Sequence, residues 1–279
     1  MSAPAVFASS GQSAKTHITA LNSVVLYVLT YLLMQGLYQA ATVGMAKRLS
    51  IPGVWHVSSI KFTITDPEWW RTGVLAVYGA GPAACTIVGV VAGLWFWKRA
   101  RLKRGLLKLF LLWVALHGCN LVLGAMVGDT FTESGAWYIP SWLFLAGNIP
   151  NIIVAVFCGL VQVVFGYFAS IGFLQSHDSI TLMRYSNRRQ LIVAAILVPW
   201  IVGSAAVAAL KWPELSRNEE LHFLTMGLLV VPMAVRSANE LFEFTIPAPQ
   251  KTKIAWSLVL AAGVAAVAWR LVLSPGVAF

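Results

Sequence analysis

The residues able to do chemistry in this chain are few, and most are set inside apolar runs. His117 and Asn120 interrupt Leu106–Asp129, a stretch apolar for long enough to cross a bilayer, and Asp129 closes it. Lipid makes an unpaired polar group costly, so His117 and Asn120 are expected to face protein or water. They share one helical stripe with Gly124 and Gly128. A buried histidine there would ligate a metal or relay a proton. The plainer alternative, favoured for one His and one Asn, is an interhelical hydrogen bond beside a Gly-xxx-Gly contact. A second polar stripe, Tyr27, Tyr31, Gln35, Tyr38, Gln39 and Thr42, lies on one face of Ala20–Met45. A third set, Arg236, Glu240 and Glu243, reads as an internal ion pair, a transport-path charge or, the favoured option, a solvated amphipathic tail.

Several chemistries find no support in the residues. His56, His177 and His222 show neither HxxxH nor HxH spacing, and Cys85, Cys119 and Cys158 form no CxxC pair, so no metal site is expected. No phosphate-binding loop, nucleophile elbow or dinucleotide fingerprint is present, and no cofactor is expected.

These side chains are positioned by membrane segments. Hydrophobic residues make up 58% of the chain and charged residues 11%, which excludes an ordinary soluble domain. The formal net charge of +10 sits in short loops between apolar runs, a pattern that orients membrane proteins rather than one that binds nucleic acid. Tryptophans near segment ends, Trp69, Trp70, Trp95, Trp97, Trp137, Trp142 and Trp256, suit an interfacial aromatic belt. The expected fold is an all-α polytopic membrane protein of six or seven helices, with a short β-strand insertion between the first two.

In order, residues 1–19 read as a mobile or surface-lying tail without a cleavable signal, followed by a single membrane domain over 20–279. Segment one is about Ala20–Met45. Val54–Thr65 alternates on two parities, giving either two short strands or one bulged at Ser58-Ser59. Segment two is about Thr72–Trp97 and ends in Lys98, Arg99, Arg101, Lys103 and Arg104, which place that loop inside. Segment three is Leu106–Asp129. The loop Thr130–Ile139 lacks Lys and Arg and is placed outside. Segment four, about Trp142–Leu174, is expected to kink or divide at Pro150. Segments five and seven are about Leu191–Leu210 and Ile254–Leu273. Segment six starts near Leu221 and meets Pro232, which leaves its crossing open.

Segments one to three resemble the core of the site-2 protease family, the intramembrane zinc metalloproteases, over about residues 30–130. Leu37-Tyr38-Gln39-Ala40-Ala41-Thr42 stands where that family has its HExxH helix. Ala46–Pro52 resembles the stretch that follows the motif, and Gly81-Pro82-Ala83-Ala84-Cys85 resembles GPxxN with the Asn replaced. Asn120 and Asp129 fall where a third helix carries an Asn and the last zinc ligand. The catalytic residues are absent: Tyr38 and Thr42 replace the two histidines and Gln39 the glutamate, and a glutamine takes no proton from water.

The resemblance implies a site-2-protease-like frame without its zinc or general base. The expected function is binding or scaffolding of membrane partners, with Tyr38, Gln39, Thr42, His117, Asn120 and Asp129 as the candidate cavity. The alternatives are an enzyme rearranged around His117 and Asp129, and a transporter. Lipid and a membrane protein are the expected partners, and a bacterial cytoplasmic membrane the expected location.

Overall fold

The computed structural model describes residues 5–145, 147–239 and 251–279, with side chains from residue 13 onward. Among the described residues six helices are long and apolar enough to cross a membrane, and the chain is an all-α polytopic membrane protein. Helix α1 spans Ala5–Arg48 and carries segment one. From Ala5 onward the expected tail is thus part of this helix, because nothing between Ala5 and Ala20 breaks the backbone pattern: no proline occurs there and Gly11 stands alone.

After α1, Ser50 takes a positive φ of 57° and turns the chain into a hairpin, β1 Gly53–Trp55 and β2 Ile60–Phe62. Of the two readings of this stretch, two strands is the observed one, in antiparallel register with Val54 opposite Lys61. A third strand, β3 Val277–Ala278, pairs on the other edge of β1 and was not anticipated. Its sequence near the end of the chain carries no strand signal, and the pairing arises because the last helix delivers it there. Gly53 makes room for this closure, since a Cβ would lie 2.7 Å from the Phe279 ring and 2.8 Å from the Lys61 carbonyl oxygen.

Helix α2, Arg71–Lys98, returns the chain, and α3, Leu107–Thr130, crosses again. Within α3 the stretch Asn120–Gly124 widens to a π-helical turn. Short helix α4, Tyr138–Phe144, ends at Leu145 in the left-handed region, and α5, Asn148–Gln175, follows as one helix. The expected division at Pro150 is therefore displaced to Leu145–Gly147. Pro150 lies in the first turn of α5, where its missing N–H has no helical partner to lose. Arg71 seals the end of α4, donating from Nε to the Trp142 carbonyl at 3.0 Å and from Nη2 to the Leu143 carbonyl at 2.5 Å.

Helix α6, Tyr185–Lys211, starts earlier than segment five was drawn and includes a π turn at Val193–Leu197. Segment six is a broken pair, α7 Arg217–Thr225 and α8 Gly227–Ser237, and its start lies upstream of Leu221. Asn218 at the head of α7 contacts Asp129 at the hairpin end. Beyond α8 the Asn239 carbonyl accepts from Arg188 Nη1 at the opposite end. The chain thus makes a further pass through this broken pair. Helix α9, Trp256–Leu273, completes the set.

Helix α5 is inverted relative to the helices of soluble proteins. On α5, Asn151, Gln162 and Ser170 are buried, whereas Ile149, Ile153, Phe157, Leu160 and Phe168 are exposed. An apolar outer face with a polar inner one suits lipid outside and protein contacts within. Gly166 permits the closest of these, because a Cβ there would meet the Leu229 carbonyl oxygen of α8 at 2.3 Å. The main core gathers Leu26, Trp113, Leu116, Phe173, Leu191 and Leu229 from five helices.

Candidate functional site

The hairpin covers a cavity of about 350 Å³ between α1, α3 and α7. Tyr38, Gln39 and Thr42 line it from α1, Asp129 from α3, and Asn218, Glu219 and His222 from α7. Four of the six residues expected in a common cavity, Tyr38, Gln39, Thr42 and Asp129, therefore meet there. Asn120 and His117 do not line it.

His117 turns instead into the core. It is 2% exposed, with the Tyr27 ring centroid at 4.5 Å and that of Tyr31 at 5.6 Å. Its Nε2 has no hydrogen-bond partner among the described residues. The π turn of α3 follows directly after Cys119, between His117 and the residues that reach the cavity. A widened turn shifts the register of everything beyond it, so the regular three-and-four spacing joining His117 to Gly128 does not hold in space.

Asn120 serves the site from behind. Its Nδ2 donates to the His222 carbonyl at 2.8 Å, and its Oδ1 accepts from Gln162 Nε2 at 2.7 Å and from Thr225 Oγ1 at 3.3 Å. That amide thus ties α3 to α5 and to the break between α7 and α8. Gly124 leaves the space for it, since a Cβ there would sit 2.2 Å from Asn120 Oδ1.

Three hydrogen-bonding groups converge on Asp129. Oδ2 accepts the Ala136 N–H at 2.7 Å, while Oδ1 accepts Asn218 Nδ2 at 2.9 Å and faces His222 Nε2 at 2.8 Å. An ionised carboxylate can only accept, so the His222 proton lies on Nε2 in the neutral ring and Nδ1 carries the lone pair. Asp129 also shapes the following loop, where Gly135 has a φ of 59° and a Cβ would come 2.4 Å from Oδ2.

On α1, the Gln39 Oε1 accepts the Trp55 indole N–H at 2.9 Å, which holds the hairpin over the cavity. The Tyr38–Thr42 turn packs on Gly81 of α2, where a Cβ would be 2.9 Å from both Thr42 Oγ1 and the Tyr38 ring. Cys85 Sγ, one turn further along, donates to the Met34 carbonyl at 3.5 Å.

Asn218, Glu219 and His222 were not singled out from the sequence. The signal that finds them is Ser216-Arg217-Asn218-Glu219, an N-cap followed three residues later by Glu, with Ser216 Oγ accepting the Glu219 N–H at 3.3 Å. A helix starting there puts Asn218 and His222 one turn apart on one face. Their meeting with Asp129 has no local signal. Glu219 is paired with Lys211 in a fully enclosed ion pair, and Lys211 also lies 5.3 Å from the ring centroids of both Tyr31 and Trp269.

Among the described residues no group of three His, Cys, Asp or Glu side chains converges in a way that could hold a metal ion. Of the third polar set, Glu240 and Glu243 lie outside the described residues. Arg236 donates to the Tyr167 carbonyl at 2.9 Å and stacks over the Tyr167 ring at 4.0 Å. No protein-family model, curated protein or solved structure matches this chain.

Proposed function

We propose that this chain is a membrane-embedded binding protein, built on a site-2-protease-like frame that has lost the hydrolytic groups. The observation that carries this reading is the shared cavity: Tyr38, Gln39 and Thr42 line it opposite Asp129. The resemblance pairs these same positions as motif one and motif three. The close seat of Gly81 against Tyr38 and Thr42 supports the frame as well. None of the three α1 side chains activates water, and Gln39 is engaged in holding Trp55. What is left is a polar, aromatic-walled pocket suited to holding a ligand or a segment of a membrane partner. In this reading the pocket opens on the outer side of a bacterial cytoplasmic membrane, and the basic loop Lys98–Arg104 at the other end of α2 supports that orientation.

The experiment is photo-crosslinking in native membranes with benzoylphenylalanine at Tyr78, which lines the cavity, and at Phe157 on the exposed face of α5. A discrete adduct at Tyr78, absent at Phe157 and lost in Gly81→Val, is the expected result. The same adducts at both positions would overturn the reading.

A second reading, an enzyme with a rearranged site, is favoured by one contact, His222 Nε2 to Asp129 Oδ1 at 2.8 Å. In it His222, not His117, is the base, oriented by Asp129 as in acid–base pairs generally. Hydrolytic turnover by the purified protein, lost in His222→Ala, would select this reading over the first.

A further inference from the structure

The chain carries a formal net charge of +10, yet the charged side chains lining the cavity under the hairpin are acidic. Among the described residues its lining includes two carboxylates, Asp129 and Glu219, and no lysine or arginine. Lys211, the cation paired with Glu219, stands behind the wall. It binds Oε1 of Glu219 and is held between the Tyr31 and Trp269 rings, outside the lining. Tyr31 Oη and Gln35 Nε2 are directed to that same Oε1, at 3.3 and 3.4 Å.

Everything offered to Glu219 thus goes to one oxygen. Its Oε2 has no hydrogen-bond partner among the described residues, although the side chain is 3% exposed. Two more lining atoms share that condition, Gln35 Oε1 and Ser58 Oγ, in residues that are 6% and 7% exposed. Buried acceptors left without donors are costly, by about 1–3 kcal/mol each, and a set of them in one wall points to a missing donor. Tyr38, Tyr78 and Tyr138 supply aromatic faces in the same lining, and such faces favour a cation.

We propose that the pocket takes a primary ammonium group, whose N–H donors are met by Glu219 Oε2, Gln35 Oε1 and Ser58 Oγ. An ammonium carries three donors and no acceptor, which matches acceptors lacking a donor. It also offsets the carboxylate charge that Lys211 leaves uncompensated at Asp129. This inference rests on the binding reading given above and names the chemistry of its ligand. The group belongs to a free small amine or to a lysine side chain of a partner segment.

The test is calorimetric titration of the full chain in lipid nanodiscs with n-butylammonium, 1-butanol and tetramethylammonium. Butylammonium is expected to bind about tenfold tighter than either control, the factor worth about 1.4 kcal/mol. Equal binding of 1-butanol would overturn the charge requirement, and equal binding of tetramethylammonium the N–H requirement. Glu219→Gln alone strands Lys211, so the carboxylate is removed in the charge-neutral pair Lys211→Met/Glu219→Gln. Ser58→Ala provides an independent probe on the hairpin. Both are expected to weaken butylammonium and leave 1-butanol unchanged, and unchanged butylammonium affinity in both would reject the site.

The source of the group is decided by acetyl-Ala-Lys-Ala-amide against its norleucine analogue. Preference for the lysine peptide with no binding of butylammonium assigns the site to a side chain, and the reverse to a free amine. Failure of every amine together with a discrete Tyr78 crosslink rejects the ammonium and leaves the binding reading standing. Failure of the crosslink with amine selectivity intact rejects only the partner form of that reading.

Discussion

His222 Nε2 lies 2.8 Å from Asp129 Oδ1, a contact between residues 93 positions apart that joins the end of α3 to the broken pass of α7 and α8. The carboxylate accepts there and so fixes the proton on Nε2. Nitrogen chemical shifts of ¹⁵N-histidine-labelled protein are expected to show His222 as the Nε2–H tautomer at neutral pH. Asp129→Asn should shift His222 toward a mixture of tautomers, because an amide can present either a donor or an acceptor. An unchanged His222 signal in that variant would contradict the assignment.

The Lys211–Glu219 pair is enclosed, with side-chain exposures of 0% and 3%. Removing one partner leaves an uncompensated buried charge, so Lys211→Met or Glu219→Gln alone should cost about 3–5 kcal/mol. Together they should recover most of that loss. Denaturant unfolding in detergent reads the cycle, and additive losses would show that the two charges do not depend on each other.

Asn120 and Gly124 form one unit, since the amide occupies the space where a Cβ at Gly124 would be. Gly124→Ala should destabilise by about 1–3 kcal/mol through overpacking. In an Asn120→Ala background the same change should cost clearly less, because the clash is gone. Equal costs in both backgrounds would place the strain elsewhere.

His177 lies beyond the end of α5, its Nε2 enclosed and its ring edge-on to Phe173 at 4.8 Å. Burial, and then the positive charge of Lys108, lower its pKa from the usual 6.5 to about 4, with Asp178 opposing. A histidine with a folded pKa below the unfolded one binds its proton more readily when unfolded. Its contribution to stability is thus complete above about pH 6.5 and is lost as pH falls toward about 4, by at most about 1.4 kcal/mol per pH unit. His177→Phe is expected to flatten unfolding free energy across that window, and an identical slope would exclude this residue as the cause.

The membrane class, the long helices and the hairpin were legible in the chain because lipid imposes local rules. A crossing needs its own run of apolar residues, and a strand pair between helices needs alternation and turn residues.

Tertiary structure decided which polar residues meet. His117 and Asp129 lie on one apolar segment, and the segment alone does not say which partners each of them meets. The π turn at Asn120–Gly124, held by contacts from α5 and α7, lies between them, and His117 enters the tyrosine core while Asp129 lines the cavity. His222 takes the place beside Asp129 because a broken helix from the far half of the chain packs there, and no local pattern records that. Hydropathy periodicity reports whether a side chain avoids lipid, and only packing determines which partner it finds.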